Sequence, residues 1–465
     1  MSVPLRIAII GSGPAALYTL EHLLAAPGLD LEVDIFERLP TPFGLVRAGV
    51  APDHQKIKAV TRAFEPLLAD PRVRFFAGVE YGRHLTLDDL RQAYHLVCFA
   101  TGAQSDRRLD IPGEDLPGSL PATAFVAWYN GHPDFAGLQP DLSCESAIVI
   151  GVGNVAIDVA RILCLTPDEL RRTDMPDYAI EALSTSRIRE VHVLGRRGPV
   201  QAAFTTPELK ELTTLEDTAL VIRPEEAELD PLSRAELERS PDRTLARKVE
   251  LIQHIAASPP PPRGRRLYLR FFIAPDRLIA GEDGRVGAVH CQRTRLVETP
   301  GGGLAAQPTG EEELIPAGLV FRSVGYRGRP LPGLPFDERL GTVPNRGGRV
   351  IDPATGDPIP GLYVAGWIKR GPTGVIGTNK PDAAETVRAM LEDAAASRTL
   401  ATPRVDRAEL ERLVRFRQPN VLTFADWQTI DRLEREAGAA CGRPRVKLTS
   451  FEAVLRALGR SPAPA

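Results

Sequence analysis

The chain has 465 residues, enough for two or three domains with full hydrophobic cores, and its 43% hydrophobic and 25% charged content is ordinary for a globular protein. Its formal net charge of −3 excludes a general nucleic-acid binder, although it leaves room for a local basic face. No apolar stretch reaches membrane-spanning length, so we expect neither a nucleic-acid partner nor membrane insertion.

Targeting and cysteine content favour a cytoplasmic protein. The first apolar run begins near Leu5, which leaves no room for a signal or transit peptide. The five cysteines are scattered and none forms a C-x-x-C pair, so we predict no redox dithiol and no metal site. We expect buried free thiols in a reducing compartment.

The first predicted element is a strand–turn–helix unit at the start of the chain. An apolar run over 5–10 leads into a helical stretch. The residues that open this stretch are Gly11, Gly13, Pro14 and Ala15. Glycines there allow a tight turn and a close approach of the backbone to a pyrophosphate, which the helix N-terminus attracts. Glu37 ends the next apolar run, about 20 residues on, where a carboxylate would bind a ribose. We assign FAD to this unit; a plain turn and a solvated acid are the alternatives.

A second unit of the same kind follows the apolar run 147–150. Its residues are Gly151, Gly153, Asn154 and Val155. The matching strand, 190–194, ends not in an acid but in Arg196 and Arg197. Two guanidiniums at that strand end suit a 2′-phosphate, so we predict NADP(H) here, with ordinary surface charges as the alternative. Two dinucleotide units in one chain suggest electron transfer between the dinucleotides.

Between and after these units, the remaining elements are predicted in chain order. The first segment closes with a buried strand that ends in Ala100, Thr101 and Gly102. A polar insert occupies 166–187, and an exposed helix is expected over 233–255, followed by four prolines that form a stiff spacer. Alternation over 267–271 and 287–292 predicts hairpin-like sheet.

The last third of the chain returns to the first domain in this interpretation. A buried strand over 361–367 precedes a helix over 383–395, and the last 60 residues show helical periodicity. We therefore predict an α/β fold of two Rossmann-like dinucleotide-binding domains, with the NADP domain inserted into a discontinuous FAD domain. The predicted ranges are 1–106 and 325–465 for FAD and 107–324 for NADP.

These motifs together resemble the adrenodoxin-reductase-like ferredoxin–NADP reductases, flavoproteins of the broad glutathione-reductase superfamily. The matching segments span most of the chain in family order. They are 11–15, 43–54, 100–102, 111–114, 151–161, 195–199, 203–209 and 365–379. The four-cysteine cluster motif of a fused ferredoxin domain is absent.

The resemblance implies roles for further residues. It implies that Trp367, after Gly366, lies against the flavin ring, and that Leu45 and Val46 flank FAD. Four residues would lie near the ring edge: Gly374, Val375, Ile376 and Thr378. Asn154 and Val155 would contact the NADP pyrophosphate, and the two arginines the 2′-phosphate.

The resemblance also places His54 and Glu208 near the nicotinamide and the reactive edge of the flavin. The residues themselves leave three purely structural roles open as alternatives. Trp367 fits a core aromatic, His54 a loop histidine bonded to backbone, and Glu208 a carboxylate favoured by a helix start. Glu211, one turn further on, competes with Glu208 for its role.

The function implied is that of an NADPH:ferredoxin oxidoreductase of EC 1.18.1 type. NADPH would give a hydride to FAD, and electrons would pass singly to a ferredoxin-type iron–sulfur protein. Because ferredoxins are usually acidic, we expect a basic docking face, with a solvated helix face as the alternative. The candidates are Arg239, Arg243, Arg247, Lys248, Arg263, Arg265 and Arg266.

Other functions compete with this one. An NADPH-dependent flavin oxidoreductase with another acceptor, either a diaphorase or an electron-supplying subunit, is the main alternative. A disulfide reductase lacks its C-x-x-C here, and a flavin monooxygenase or a redox sensor without turnover is also compatible with two dinucleotide sites.

Overall fold

The computed structural model describes residues 4–461, which divide into two compact units. The first unit comprises residues 4–105, 130–136 and 325–461. The second unit comprises residues 106–129 and 137–324. Among residues 4–461, no helix combines the length and the apolarity needed to cross a bilayer.

The first unit is built on a seven-stranded sheet. Its strands in spatial order are Asn345–Arg346, Arg349–Ile351, Pro358–Val364, Leu96–Phe99, Leu5–Ile10, Leu31–Glu37 and Val73–Ala77. The last five are parallel, and the first two are antiparallel additions. Strand Leu5–Ile10 has neighbours on both sides that follow it in the chain, so the strand order reverses there. Ligands bind such parallel sheets at the carboxyl ends of the strands beside this reversal.

Helices cover the sheet of the first unit. They are Pro14–Leu24, Leu45–Ala48, Gln55–Lys58, Thr61–Leu68, Leu87–Ala93, Trp367–Arg370, Asn379–Ala395, Arg407–Arg417, Phe424–Ala440 and Phe451–Ala457. Ile7 and Ile9 face one core, and Ile10 faces the other, as the period of two in a strand requires. The strand predicted over 361–367 is found as Pro358–Val364, and its last three predicted residues lie outside it because Gly366 has a positive φ and precedes helix Trp367–Arg370. The helix predicted over 383–395 and the C-terminal helical periodicity are confirmed.

The second unit contains a six-stranded parallel sheet. Its strands in spatial order are Ser119–Pro121, Leu319–Arg322, Ser146–Ile150, Glu190–Leu194, Arg265–Arg270 and Thr218–Val221. A separate antiparallel sheet consists of Ile273–Ala280, Val286–Glu298 and Leu304–Pro316. Its middle strand contains the predicted hairpin segment 287–292.

The hairpin prediction for 267–271 was wrong. Residues 265–270 pair in parallel with Glu190–Leu194 and with Thr218–Val221 instead. Leu267 and Leu269 are fully buried, so the alternation of apolar and polar residues was real. Alternation identifies a strand with two different faces, but it carries no information about the strand's partners.

Helices of the second unit correct one more prediction. They are Ala122–Tyr129, Asn154–Cys164, Pro167–Leu170, Asp177–Ser184, Thr206–Thr213, Pro224–Ala227, Pro231–Arg239 and Arg243–Ala257. The single helix expected over 233–255 is two helices, because Pro241 has no N–H and excludes the helical conformation for Ser240. Asp242 then starts the second helix by accepting a hydrogen bond from Thr244 N at 2.8 Å.

All five cysteines are free thiols, as expected, but they differ in exposure. Cys98, Cys164 and Cys291 are buried, and burial raises the pKa of each to about 12. Cys144 is half-buried. Cys441 is exposed, contrary to the expectation of buried thiols, because it lies at the C-terminal end of a surface helix.

Candidate functional site

The glycine turn of the first unit brings two strand ends together. Gly11 has φ +102°, and a Cβ there would lie only 2.6 Å from the carbonyl oxygen of Ala100. Ala100 N donates to Ile10 O at 2.8 Å, so Thr101 and Gly102 continue directly beside the turn. Only glycine combines this conformation with so close an approach of two backbones.

Gly13 leaves an open cradle at the start of the first helix. A Cβ on Gly13 would meet no heavy atom within 4 Å. Pro14 occupies the first turn of helix Pro14–Leu24, Ala15 is buried behind it, and Gly13 offers no side-chain cap. The helix start thus has no side-chain cap and open space beside Gly13, a combination that fits a pyrophosphate.

Glu37 is a buried carboxylate that ties the second strand to this turn. Its Oε2 accepts hydrogen bonds from Ser12 N at 3.0 Å and Ser12 Oγ at 2.7 Å. Its Oε1 accepts from Leu39 N at 2.8 Å. Burial raises the pKa of Glu37, against the opposing effect of these donors. Ser12 was missed by the sequence analysis, although its polar side chain between the two glycines was a visible signal.

Two further segments of the first unit reach the same helix start. A Cβ on Gly44 would lie 3.0 Å from Gly13 Cα, so the turn before Leu45 and Val46 lies close to the glycine turn. Val46 is buried, whereas the apolar side chain of Leu45 is 37% exposed. Gly366 has φ +77°, and a Cβ on it would lie 2.4 Å from Ala15 Cβ.

Trp367 is half-buried rather than a core aromatic. Its Nε1 donates to Thr373 O at 3.1 Å, and its ring centroid is 5.3 Å from that of Tyr326. The loop that follows is exposed at Gly374, Val375 and Thr378, and Ile376 is half-buried. Val375 is 58% exposed, although it is apolar. Exposed apolar side chains beside an open glycine cradle fit a flat ring system with an attached pyrophosphate.

His54 lies in the first unit immediately before helix Gln55–Lys58. It is half-buried, and its carbonyl oxygen accepts hydrogen bonds from Ile57 N and Lys58 N, both at 3.1 Å. The backbone of His54 thus starts this helix, and its imidazole role stays a prediction.

The glycine turn of the second unit repeats the geometry of the first. Gly151 has φ +129°, and a Cβ there would lie 2.2 Å from Ser323 O. Gly153 again has nothing within 4 Å of a Cβ position, at the start of helix Asn154–Cys164. Val155, in the first turn, is half-buried. A second pyrophosphate therefore fits this helix start.

Asn154 links this turn to helix Thr206–Thr213. Its Oδ1 accepts a hydrogen bond from Thr205 N at 3.0 Å, and its Nδ2 donates to Glu208 Oε1 at 3.3 Å. Glu208 Oε2 is shielded from solvent and has no hydrogen-bond partner within residues 4–461. The competing carboxylate, Glu211, instead pairs with Arg161 Nε at 3.5 Å. A buried acceptor without a donor is unusual in a folded protein, so Glu208 Oε2 is an unsatisfied hydrogen-bonding position beside Asn154.

Arg196 and Arg197 follow strand Glu190–Leu194 in the second unit. Arg196 is exposed and Arg197 half-buried. Within the described part of the chain, neither guanidinium forms a hydrogen bond or an ion pair. Other exposed arginines do pair, as Arg108 does with Asp115. Two unpaired guanidiniums beside a glycine turn fit a phosphate group.

Two residues of the predicted basic face are buried. Lys248 is 6% exposed, and its Nζ donates to the carbonyl oxygens of Ala202 and Phe204. Arg265 is 8% exposed and donates to Cys164 O and Leu165 O at 3.2 and 3.0 Å. Both predictions were wrong because these cations bind backbone carbonyls in the interior. The remaining exposed candidates are Arg239, Arg243, Arg247, Arg263 and Arg266.

Two parallel sheets, each with an open glycine turn at a helix start, define a protein of the two-dinucleotide flavoprotein class. A family model described as FAD-NAD(P)-binding matches residues 8–141. The chain is 48% identical over 461 residues to NADPH-ferredoxin reductase FprA of Mycobacterium tuberculosis, covering 97% of this chain and 99% of the relative. It is 42% identical to human mitochondrial NADPH:adrenodoxin oxidoreductase, covering 98% and 92%.

A solved structure of Mycobacterium tuberculosis FprA in complex with NADPH matches with a TM-score of 0.92 and 47% identity, covering 98% of this chain and all of the other. The chain belongs to the NADPH-ferredoxin reductase family that includes FprA and the adrenodoxin oxidoreductases. The resemblance found in the sequence and the predicted fold class, two Rossmann-like domains with one inserted into the other, are thereby confirmed.

Proposed function

We propose that this protein is an FAD-dependent NADPH-ferredoxin reductase, which exchanges electrons between NADPH and a ferredoxin-type iron–sulfur protein. The observation that carries the proposal is the pair of glycine turns, of which only the second is followed by two unpaired guanidiniums. The relatives named as NADPH-ferredoxin reductases support it over nearly the full chain.

In this proposal the first unit holds FAD. The N–H groups at the start of helix Pro14–Leu24 bind the pyrophosphate, and Glu37 accepts hydrogen bonds from a ribose. Trp367 and Leu45 cover the flat ring, and the backbone of 374–376 approaches its edge. FAD, when bound, takes up a hydride and can release the two electrons one at a time.

The second unit holds NADP(H) in this proposal. Asn154 and Val155 contact the pyrophosphate, and Arg196 and Arg197 bind the 2′-phosphate, which gives preference over NAD(H). Glu208 binds the nicotinamide end through Oε2. His54 acts at the flavin edge. The proposed domains are 1–106 and 325–465 for FAD and 107–324 for NADP, although residues 130–136 group with the first unit.

The partner is proposed to be an acidic ferredoxin that docks on exposed arginines of the second unit. Arg239, Arg243 and Arg247 supply the positive charge, and opposite charges steer association and fix orientation. Five free thiols favour a reducing compartment, so we also propose a cytoplasmic location, which cell fractionation tests.

A coupled assay tests this function against its main alternative. Purified enzyme, NADPH and cytochrome c are mixed with and without a ferredoxin. We expect cytochrome reduction that depends on ferredoxin and saturates with it. Reduction of dyes by NADPH with no response to any acidic ferredoxin would instead indicate an oxidoreductase with another acceptor.

A further inference from the structure

The backbone around the two arginines is held by a part of the second unit that is distant in sequence. Arg196 O accepts a hydrogen bond from Thr294 Oγ1 at 2.7 Å, and Arg197 O accepts from Phe272 N at 3.3 Å. Both donors belong to the antiparallel sheet and the turn leading into it. The carbonyl of each arginine is therefore bound by a separate donor.

The turn that supplies Phe272 is itself fixed. Phe272 has φ +55°, a left-handed conformation that is unusual for a bulky residue. Its carbonyl oxygen accepts from Thr294 N at 2.8 Å, and its ring fills the space that a Cβ on Gly198 would enter. Backbone strain of this kind is found at sites where position matters for function.

Buried ion pairs secure the strand end before this turn. Arg270 is 1% exposed and donates to Glu313 Oε1 and Oε2 at 3.0 and 2.8 Å. Glu226, which is fully buried, accepts from Arg270 Nε at 3.0 Å and from Phe271 N at 2.8 Å. This turn therefore has little freedom to move. Its donors hold residues 195–198, the loop that carries the two arginines and is called the arginine loop below, in one place.

Thr294 is the one side chain in this arrangement that donates to the arginine loop. It is 7% exposed, and strand pairing shifts register between Gln292 and Thr294. Such irregularities re-aim side chains out of the regular pleat. Removing the hydroxyl would leave Arg196 O without this donor and free the peptide to rotate.

We propose that Thr294 is a positioning residue for coenzyme specificity: it holds the Arg196 peptide so that the guanidinium pair binds the 2′-phosphate. The inference rests on the proposed NADP(H) assignment of this loop. Loss of the Thr294 hydroxyl should therefore weaken the binding only of ligands that carry the 2′-phosphate, since a ligand without this phosphate does not contact the arginines.

Equilibrium binding to the FAD-loaded protein tests the inference without turnover. The probes are 2′,5′-ADP, which carries the phosphate, and 5′-ADP, which lacks it. Thr294→Ser keeps the hydroxyl and Thr294→Ala removes it, while both lose the same methyl group. We expect Ala to raise the Kd for 2′,5′-ADP by roughly two- to tenfold relative to Ser, the effect of one hydrogen bond. The Kd for 5′-ADP should be equal in the two variants.

A matched control and the contrary outcomes complete the test. Thr299 also donates its hydroxyl to a backbone carbonyl, Gly303 O at 3.0 Å, in the turn between strands Val286–Glu298 and Leu304–Pro316, so its Ser and Ala variants should bind both probes equally. If Thr294→Ala unfolds the protein, Thr294→Val replaces it. Valine has nearly the same volume as threonine but no hydroxyl, so this variant is compared with the wild type. Equal Kd values for Ser and Ala, or equal losses for both probes, would overturn the role of Thr294. Wild-type protein that binds both probes alike would overturn the arginine assignment as well, whereas ferredoxin-dependent activity tests the proposed function separately.

Discussion

Arg47 and Glu434, which lie 387 positions apart in the chain, form a two-point ion pair with nitrogen–oxygen distances of 2.8 and 2.5 Å. Glu434 is fully buried at its side chain and also accepts from Arg445 Nη1 at 3.0 Å and Leu448 N at 2.8 Å. Arg47 follows Leu45 and Val46, the residues proposed to flank FAD. The helix Phe424–Ala440 therefore anchors the segment that carries them.

Glu434→Gln should destabilise the protein by about 3–5 kcal/mol, because removing one partner of a buried pair leaves the other charge uncompensated. Chemical unfolding followed by circular dichroism measures this loss. Glu436→Gln is the matched control on the same helix, since Glu436 pairs with Arg432 at the surface. Its effect should stay below about 1 kcal/mol. Equal effects of the two substitutions would show that the buried ion pair contributes no more to the free energy of unfolding than the surface pair does.

The same pair makes a prediction about pH. Burial raises the pKa of Glu434, but the charges and hydrogen bonds of Arg47 and Arg445 outweigh burial, so the pKa is lowered overall. A lowered folded-state pKa gives stability that is complete above the unfolded value, about 4.3, and is lost as pH falls through the folded value. The stability difference between wild type and Glu434→Gln should therefore be constant from pH 7 to 5 and shrink below pH 4.3.

Gly366→Ala should reduce the FAD content of the purified protein. The added methyl group would lie 2.4 Å from Ala15 Cβ, and the backbone conformation of Gly366 (φ 77°, ψ −146°) costs roughly 1–3 kcal/mol for a non-glycine residue. The ratio of flavin absorbance to protein absorbance measures the content. Gly301→Ala is the control, since its Cβ would meet no atom within 4 Å. Full FAD content in Gly366→Ala would contradict the proposal that FAD binds at the start of helix Pro14–Leu24, beside this contact.

Glu208→Gln should raise the KM for NADPH about ten- to a hundredfold, because a charge-assisted hydrogen bond contributes about 1.5–3 kcal/mol. The glutamine can still accept from Asn154, so the helix should keep its position. Steady-state assays with a dye acceptor measure KM and kcat. Glu211→Gln removes the neighbouring carboxylate that pairs with Arg161 and should leave KM near the wild-type value. The reverse pattern would transfer the proposed role to Glu211.

Reversing charge at Arg243 and Arg247 together should raise the KM for ferredoxin and make it less sensitive to salt. Electrostatic steering depends on ionic strength, whereas reduction of small dyes by NADPH does not use this surface. The control reverses Arg171 and Arg172, which are exposed in the same unit and are not among the proposed docking residues. An equal loss of ferredoxin and dye activity in the first variant would contradict docking there.

The local parts of both sites could be predicted from the sequence. The glycine turns, Glu37 and the arginine pair are set by neighbours in the chain, because a strand, a turn and a helix start are adjacent in sequence. The contact between Asn154 and Glu208, which lie 54 positions apart, was not predicted from the sequence. Their hydrogen bond depends on how helix Thr206–Thr213 packs against helix Asn154–Cys164.

The features of the sites that were not predicted depend on tertiary contacts, which no local sequence pattern encodes. Lys248 and Arg265 have the composition of a basic surface, yet backbone carbonyls inside the second unit bind them. Thr294 is one threonine in an alternating strand, and neither the register shift beside it nor its hydrogen bond to Arg196 O has a local sequence signal. The break between helices Pro231–Arg239 and Arg243–Ala257, by contrast, had a visible sequence signal in Pro241. The charged residues on both sides of it instead suggested one continuous exposed helix.

The most direct test of the account is an anaerobic titration of the purified protein, followed by its visible spectrum. We expect a yellow protein whose flavin absorbance is bleached by about one equivalent of NADPH, far less readily by NADH, and restored by oxidised ferredoxin. A protein that binds no flavin after reconstitution, or whose flavin absorbance NADPH leaves unchanged, would contradict it.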